Sequence, residues 1–529
     1  MKVDLFDIEV VRNGLSSIAE EMSAIVMRSA RSPILREAGD LSSIVSDANG
    51  DQLAQGQDMP VHMGVMSFTV REFLKVVPKS RLKPGDVWFL NLPEIGGNHL
   101  PDVKAIRPIF RNGEIKAFSV SLAHWADIGG AEPGSYYASA FDGWQEGLHI
   151  PPLRIFTADG TDEEKLEVIL SNVRGRDMCR GDVFAQMAAT RTADVRMQEL
   201  FDVWGDDYLP AVFEALHDHA EAQMREAIRK LPNGIYEGED FMDDDGHGGP
   251  PAAVRVQLEV KDDTVVFDFS GSDDAVSGPI NTTKFIAGSA AFYTLKAVCG
   301  PEVQASAGCY RPARVVTRPG SICDAPIDKP VVGGNHETSQ RLVDACIRAL
   351  ENIVPERLIA GSSTTTGLLL LAGYREDGIW NTLYEVHGGG DGGRHDRDGT
   401  DAVRAHMTNT MNTPAEVIET EYPIDIEFQR LRPNSGGAGA HVGGMGQERG
   451  YRVRVNDISL TTMFERAIVP PYGMQGGEPG APFRVTLFRD GDKEGEVLPG
   501  KYNTRINKGD LVFVQSSGGG GYGSATKRQ

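Results

Sequence analysis

Two β-prone runs, residues 103–110 and 115–123, flank Arg111-Asn112-Gly113-Glu114. Asn-Gly between such runs is the strongest short hairpin signal, because both residues tolerate the positive φ of a type I′ turn. Folding the chain about this point sets residue i opposite residue 225 − i, so Asp102 faces Ala123 and His99 faces Ala126. The open end of the hairpin then gathers His99, Asp102, His124 and Asp127 from distant places in the sequence. Alternation along the strands puts His99 and His124 on one face and Asp102 on the other. Asp102 joins them only if Leu100-Pro101 breaks the strand, which the proline permits. Pro108 inside the first run places that strand at an edge or a bulge.

His-x-x-Asp supplies one nitrogen and one oxygen ligand within a turn, and the second arm adds His124. Imidazole mixed with carboxylate suits Zn²⁺, Mn²⁺ or Fe²⁺ and is poor for Ca²⁺ or Mg²⁺. The same residues also fit turn positions and a satisfied core histidine. Asp40 lies in Arg36-Glu37-Ala38-Gly39-Asp40, between a long helix and the first of two hairpins, and is placed to enter as a fourth ligand.

The helix before Asp40 is read from Ile8, Val11, Leu15, Ile18, Met22 and Ile25, spaced by three and four, with Pro33 beyond its end. Around it the chain divides into three expected parts. Residues 1–232 form a metal-binding domain with a helical segment from about 182 to 230, closed by Leu231-Pro232-Asn233-Gly234. Residues 233–410 are mixed α/β, with helices near 286–298 and 340–351, and residues 411–529 are β-rich with Gly-rich turns. The expected class is a multidomain α+β fold.

A second candidate is Gly333-Gly334-Asn335-His336-Glu337-Thr338-Ser339-Gln340, a Gly-rich turn leading into a helix, which suits an anion or ordinary capping. Gly495-Glu496-Val497-Leu498-Pro499-Gly500-Lys501-Tyr502 approaches a phosphate-binding loop but fails. Tyr502 replaces the hydroxyl residue, Pro499 lacks an N–H, and the stretch from Tyr502 to Ile506 reads as extended. The net charge of −22 argues against nucleic-acid or anionic-membrane partners. Five scattered cysteines and a start without an apolar signal core point to the cytoplasm.

At Gly96-Gly97-Asn98-His99-Leu100-Pro101-Asp102, His124-Trp125-Ala126-Asp127, Pro60-Val61-His62-Met63-Gly64 and Gly518-Gly519-Gly520-Gly521-Tyr522-Gly523, the sequence resembles the hydantoinase B family. This family includes N-methylhydantoinase and caprolactamase subunits, one half of 5-oxoprolinase, and large subunits of acetone and acetophenone carboxylases. Many relatives show His-His-Ala-Asp where Trp125 stands here. The resemblance implies a divalent metal, zinc or manganese, on Asp40, His99, Asp102 and His124. It also implies an A-type partner subunit that binds ATP and phosphorylates a cyclic amide, here a hydantoin, lactam or 5-oxoproline. This chain would then hydrolyse the activated intermediate, with Asp127 or Glu37 as general base. The rival readings are the large subunit of an ATP-dependent ketone carboxylase and a non-catalytic scaffold with a structural metal.

Overall fold

The computed structural model describes residues 3–527. Its first helix, α1 (Leu5–Ser29), starts at Asp4, whose carboxylate accepts from the Phe6 N–H and caps it. Ile8, Val11, Leu15, Ile18 and Met22 are buried along one stripe, as the spacing predicts. Pro33 opens the one-turn α2 (Pro33–Arg36), which delivers the chain to a seven-stranded antiparallel sheet.

That sheet has the order β2-β1-β5-β4-β3-β6-β7. Its strands are β1 (Leu41–Asp47), β2 (Gln52–Gln55), β3 (Val87–Leu90), β4 (Asp102–Arg111), β5 (Glu114–His124), β6 (Leu153–Thr157) and β7 (Gly160–Thr161). Between β2 and β3 runs α3 (His62–Val76), and after β7 come α4 (Glu163–Leu170), α5 (Arg176–Trp204) and α6 (Tyr208–Ile228). α1 and α5 cover one face, where Val45, Val103 and Ala105 lie. On the other face α3 packs Met66, Val70 and Phe73 against Ile44, Ile106 and Val120. With both faces covered, the central strands are buried almost throughout, which explains their long apolar runs.

The β4–β5 hairpin turns at Asn112 (φ 53°) and Gly113 (φ 82°), both in the left-handed region a type I′ turn needs. Its register departs from the simple expectation. A bulge between Ile109 and Phe110 shifts the pairing by one residue, so Asp102 lies opposite His124, and Val103 opposite Ala123. The two side chains therefore share a face, and the expected break is also present: Leu100 and Pro101 form a turn ahead of β4, closed by Asp102 N–H on His99 O (3.2 Å). β4 is an interior strand, but β3 pairs only with its 104–106 stretch, leaving Pro108 beside the bulge and beyond β3.

The second sheet, β11-β10-β9-β8, consists of β8 (Gly234–Met242), β9 (Ala252–Lys261), β10 (Thr264–Asp268) and β11 (Ala313–Val316). Helices α7 (Lys284–Thr294), α8 (Ala307–Tyr310) and α9 (Ser339–Leu350) share its core. The remaining strands are β12 (Leu368–Tyr374), β13 (Trp380–Glu385), β14 (Ile424–Leu431), β15 (Gln447–Val453), β16 (Ile458–Met463), β17 (Arg484–Phe488), β18 (Glu496–Leu498), β19 (Lys501–Ile506) and β20 (Leu511–Gln515), with α10 (Ala415–Glu421) among them. They form two sheets, β13-β12-β16-β19 and β14-β15-β20-β17-β18. Pairing of β12 with β16 crosses residue 410, so this core draws on strands from both sides of it. The glycine-rich segments pack backbone against backbone: a Cβ on Gly519 would lie 1.9 Å from the Asp391 carbonyl oxygen.

Candidate metal centre

Asp102 opens β4, and His124 closes β5. Asp40 precedes β1 and is tied to the hairpin through its carbonyl, which accepts from the His124 N–H (3.1 Å). His99 comes one turn ahead of β4, and its Nε2 lies 3.1 Å from Asp102 Oδ2. His62, at the start of α3, brings its Nε2 to 3.2 Å from the same oxygen. Ligand atoms of His99, Asp102 and His124 lie within 4.8 Å of one another, as do those of Asp40, His62 and Asp102. Asp40 is 7% exposed and the other four residues 1%.

The surrounding contacts orient these side chains. Val332 O accepts from His99 Nδ1 (3.2 Å) when Nδ1 carries the proton, which leaves Nε2 as the lone-pair nitrogen. His62 Nδ1 faces Ser42 Oγ at 2.9 Å. Asn98 donates to Asp102 Oδ2, and Asn335 Nδ2 approaches His99 Nε2 at 3.1 Å. α3 reaches this position because Gly64 meets α7 where a Cβ would lie 2.4 Å from Ser289 N, and Ser289 Oγ accepts from the Gly64 and Val65 N–H groups.

Burial and repulsion from Asp102 push the Asp40 carboxyl up to about 7. Burial also opposes ionisation of Asp102, but His99 and His62 outweigh it and hold that carboxyl well below the usual range. Burial pushes His124 down to about 3, so its imidazole is neutral at physiological pH, the form that ligates metals. Asp102 Oδ1 and His124 Nδ1 are buried without hydrogen-bond partners. Unsatisfied buried acceptors beside a second carboxylate fit a cation, and the nitrogen-rich donor set fits zinc or manganese. Asp40, His62, His99 and His124 line a cavity of about 20 Å³, roughly one water or one ion.

Other side chains reach the same space. His336 lines it with Nε2 unpartnered, while its Nδ1 lies 3.0 Å from Glu337 Oε1, which also accepts from the Thr366 N–H. Tyr136 OH lies 3.4 Å from His124 Nε2 and 3.0 Å from Tyr384 OH.

His99, Asp102 and His124 form one compact group, and Asp40 joins Asp102 and His62 in a second; Asp127 and Glu37 stand apart from both and from the cavity. Asp127 accepts from the N–H groups of Gly129, Gly134 and Arg174 and from the Arg174 guanidinium, which fastens the loop after β5. Glu37 pairs with Arg36 and is partly exposed. Trp125 points into the core, its Nε1–H donating to Gln186 Oε1, so position 125 does not face the cavity. Lys501 is buried on Glu465, and residues 496–506 contribute two strands, so that glycine-lysine segment is not a phosphate loop. The sequence alone does not mark His62 as a donor, and it places His336 in a separate candidate site rather than beside the metal set. Pro60-Val61-His62-Met63-Gly64 and the segment from Gly333 were visible as motifs, but nothing local to them shows which face meets Asp102.

Fold and site together define a multidomain α+β protein with a buried His/Asp donor set at the end of a central hairpin. The chain belongs to the hydantoinase B/oxoprolinase family, which matches residues 4–525. It is 34% identical to an uncharacterised protein of Methanocaldococcus jannaschii, over 99% of this chain and 92% of that one. A 5-oxoprolinase of Dictyostelium discoideum is 30% identical over 99% of this chain, which spans 40% of that longer protein. Caprolactamase subunit beta of Pseudomonas jessenii is 28% identical over 99% of this chain and 92% of that one. The crystal structure of the ATP-dependent caprolactamase from Pseudomonas jessenii superposes with a TM-score of 0.94 at 26% identity, covering 100% of this chain and 93% of that one. Acetone carboxylase shares the fold, with a TM-score of 0.89 at 18% identity over 99% of this chain and 76% of that one. No described helix is long and apolar enough to cross a membrane.

Proposed function

We propose that this chain is the metal-bearing, hydrolytic subunit of an ATP-dependent cyclic-amide hydrolase, working with an A-type subunit that binds ATP. The observation that carries this reading is a pair of buried donor groups, His99–Asp102–His124 and Asp40–His62–Asp102, that share Asp102. Asp40, His99, Asp102 and His124 would hold the ion, zinc or manganese, with His62 beside them on Asp102. A divalent ion supplies Lewis acidity there, polarising an acyl or phosphoryl oxygen and making water a stronger acid.

The rest of the work falls to the chain's own groups. An unactivated amide resists water, so the partner phosphorylates the ring amide oxygen before attack. His336, backed by Glu337, has a free Nε2 facing the cavity and can accept or return a proton there. It has this access where Asp127 and Glu37 do not, since their carboxylates are already engaged. Tyr136 and Tyr384 stand over His124 and offer hydroxyl donors to a developing oxyanion. Relatives named as a beta subunit and as an ATP-dependent caprolactamase support both the partner and the substrate class. All five cysteines are free, which accords with the cytoplasm. The test is the co-purified complex given ATP and 5-oxoproline, hydantoins or larger lactams. Ring-opened product that requires ATP, and disappears when a chelator strips the metal, supports the reading; metal-independent ring opening defeats it.

A further inference from the structure

Beyond the metal-site cavity, across the chain segment that walls it, lies a second cavity of about 200 Å³. Gln340 and Met407 border the first cavity, whereas Val343, one turn along α9, and His406 border the second. Gln340 fastens the partition, its Nε2 donating to Ala405 O (3.2 Å). The lining of the larger cavity divides in two. Ala297, Val298, Val343, Ile347, Leu358 and Ile359 make an apolar wall. The remainder carries Arg357, Arg394 and Arg404 against a single lining carboxylate, Asp391.

In a chain of net charge −22, three guanidiniums gather around this one cavity. Asp391 pairs with Arg394 (3.3 Å) while its other oxygen accepts from Ser362 Oγ (2.7 Å), and Arg357 lies 3.7 Å from Glu356. Arg404 donates through Nε and Nη1 to Thr410 O (3.1 Å) and Thr366 O (2.9 Å), which leaves Nη2. Arg404 Nη2 and His406 Nε2 are buried without hydrogen-bond partners. The His406 side chain is only 6% exposed, with Nδ1 3.3 Å from Tyr293 OH and Nε2 3.9 Å from Asp344 Oδ1. When Tyr293 OH donates to His406 Nδ1, Nε2 carries the proton, and it and the Arg404 Nη2–H both lack an acceptor.

We propose that this cavity binds a small organic carboxylate, its aliphatic body against the α7–α9 wall and its carboxylate on Arg394, Arg404 and His406. Guanidinium and imidazole donors select an oxyanion, and the apolar wall selects a hydrocarbon body over a bare inorganic anion. The space of about 200 Å³ holds several water-sized groups, enough for a short-chain carboxylate. Ring opening of a cyclic amide leaves a carboxylate, so a product of the reaction proposed above belongs to this class; that link rests on the reading above, whereas the site does not.

The probe is hexanoate, titrated calorimetrically into the full chain, with hexylamine and inorganic phosphate as controls. Two variants report the location: Arg394→Gln removes a donor, and Ala297→Phe fills the cavity from an exposed position, which spares the core. Hexanoate is expected to saturate the wild-type chain and to bind each variant at least ~10-fold more weakly, with metal content unchanged. Equal affinity in both variants, equal binding of hexylamine or phosphate, or no saturation by about 10 mM hexanoate overturns the proposal. Metal content of a His99→Ala chain reads the metal centre separately, so failure of one assignment is distinguishable from failure of the other.

Discussion

Asp102 and His124 are direct cross-strand partners at the open end of the β4–β5 hairpin, both 1% exposed. The pairing depends on one extra residue, because the bulge between Ile109 and Phe110 decides which face each side chain takes. Both then meet His99 in one buried group, and Asp40 and His62 join Asp102 in another. Asp102 Oδ1 and His124 Nδ1 have no hydrogen-bond partners, and a metal ion would satisfy both.

His99→Ala and His124→Ala chains are therefore expected to lose bound divalent metal while keeping wild-type far-ultraviolet circular dichroism. Metal content by mass spectrometry after desalting measures this. Full occupancy in both variants removes the site.

His62 holds Asp102 through Nε2 while Ser42 faces its other nitrogen. Loss of such an orienting contact weakens metal binding by roughly 10–100-fold. A His62→Ala chain should bind zinc more weakly by about that factor in a chelator competition, with the fold unchanged. An unaltered affinity would show that His62 only packs.

The sequence shows α1 plainly because Val11, Leu15, Ile18 and Met22 repeat at helical spacing over many turns. It also locates the hairpin, since Asn112 and Gly113 are the residues a type I′ turn requires. Register is harder to read: Pro108 signals a bulge, but strand alternation alone does not say on which side of it the extra residue falls. His62 was hidden for a different reason. Its partner Asp102 lies 40 residues away on another element, and no local period records that contact. The same holds for β12 and β16, paired across a long stretch of intervening chain.

Asp182 offers a test of the packing that leads α2 toward Asp40. Its Oδ1 accepts from the N–H groups of Arg31 (2.7 Å) and Ser32 (3.1 Å). Burial pushes its carboxyl up to about 6, although those N–H groups pull the other way. Between about pH 4 and 6 the unfolded chain has released a proton that the folded chain keeps, so this contribution to stability falls as pH rises through that window and then levels. Asp182→Asn keeps an oxygen for both N–H groups and carries no charge. Its unfolding free energy should match the wild type near pH 4 and exceed it at pH 7, by an amount on the order of 3 kcal/mol. A pH-independent difference between the two chains contradicts the prediction.

The division of labour between subunits supplies the last prediction. Asp102 is buried at the start of β4 and shares His62, His99 and Asn98 as partners, so Asp102→Asn disturbs the site with little change in volume. The isolated wild-type chain is expected to release no phosphate from ATP: its nearest approach to a phosphate loop is strand, with Lys501 buried on Glu465. In the reconstituted complex, Asp102→Asn should abolish ring opening, a loss of more than ~100-fold, without dissociating the subunits. Substrate-stimulated phosphate release should persist, because the partner still activates the ring and the abandoned phosphate ester decomposes in water. Product and phosphate followed together in one reaction distinguish the outcomes. Ring opening at the wild-type rate would move the chemistry away from Asp102, whereas simultaneous loss of phosphate release and ring opening would place activation and hydrolysis in a single site.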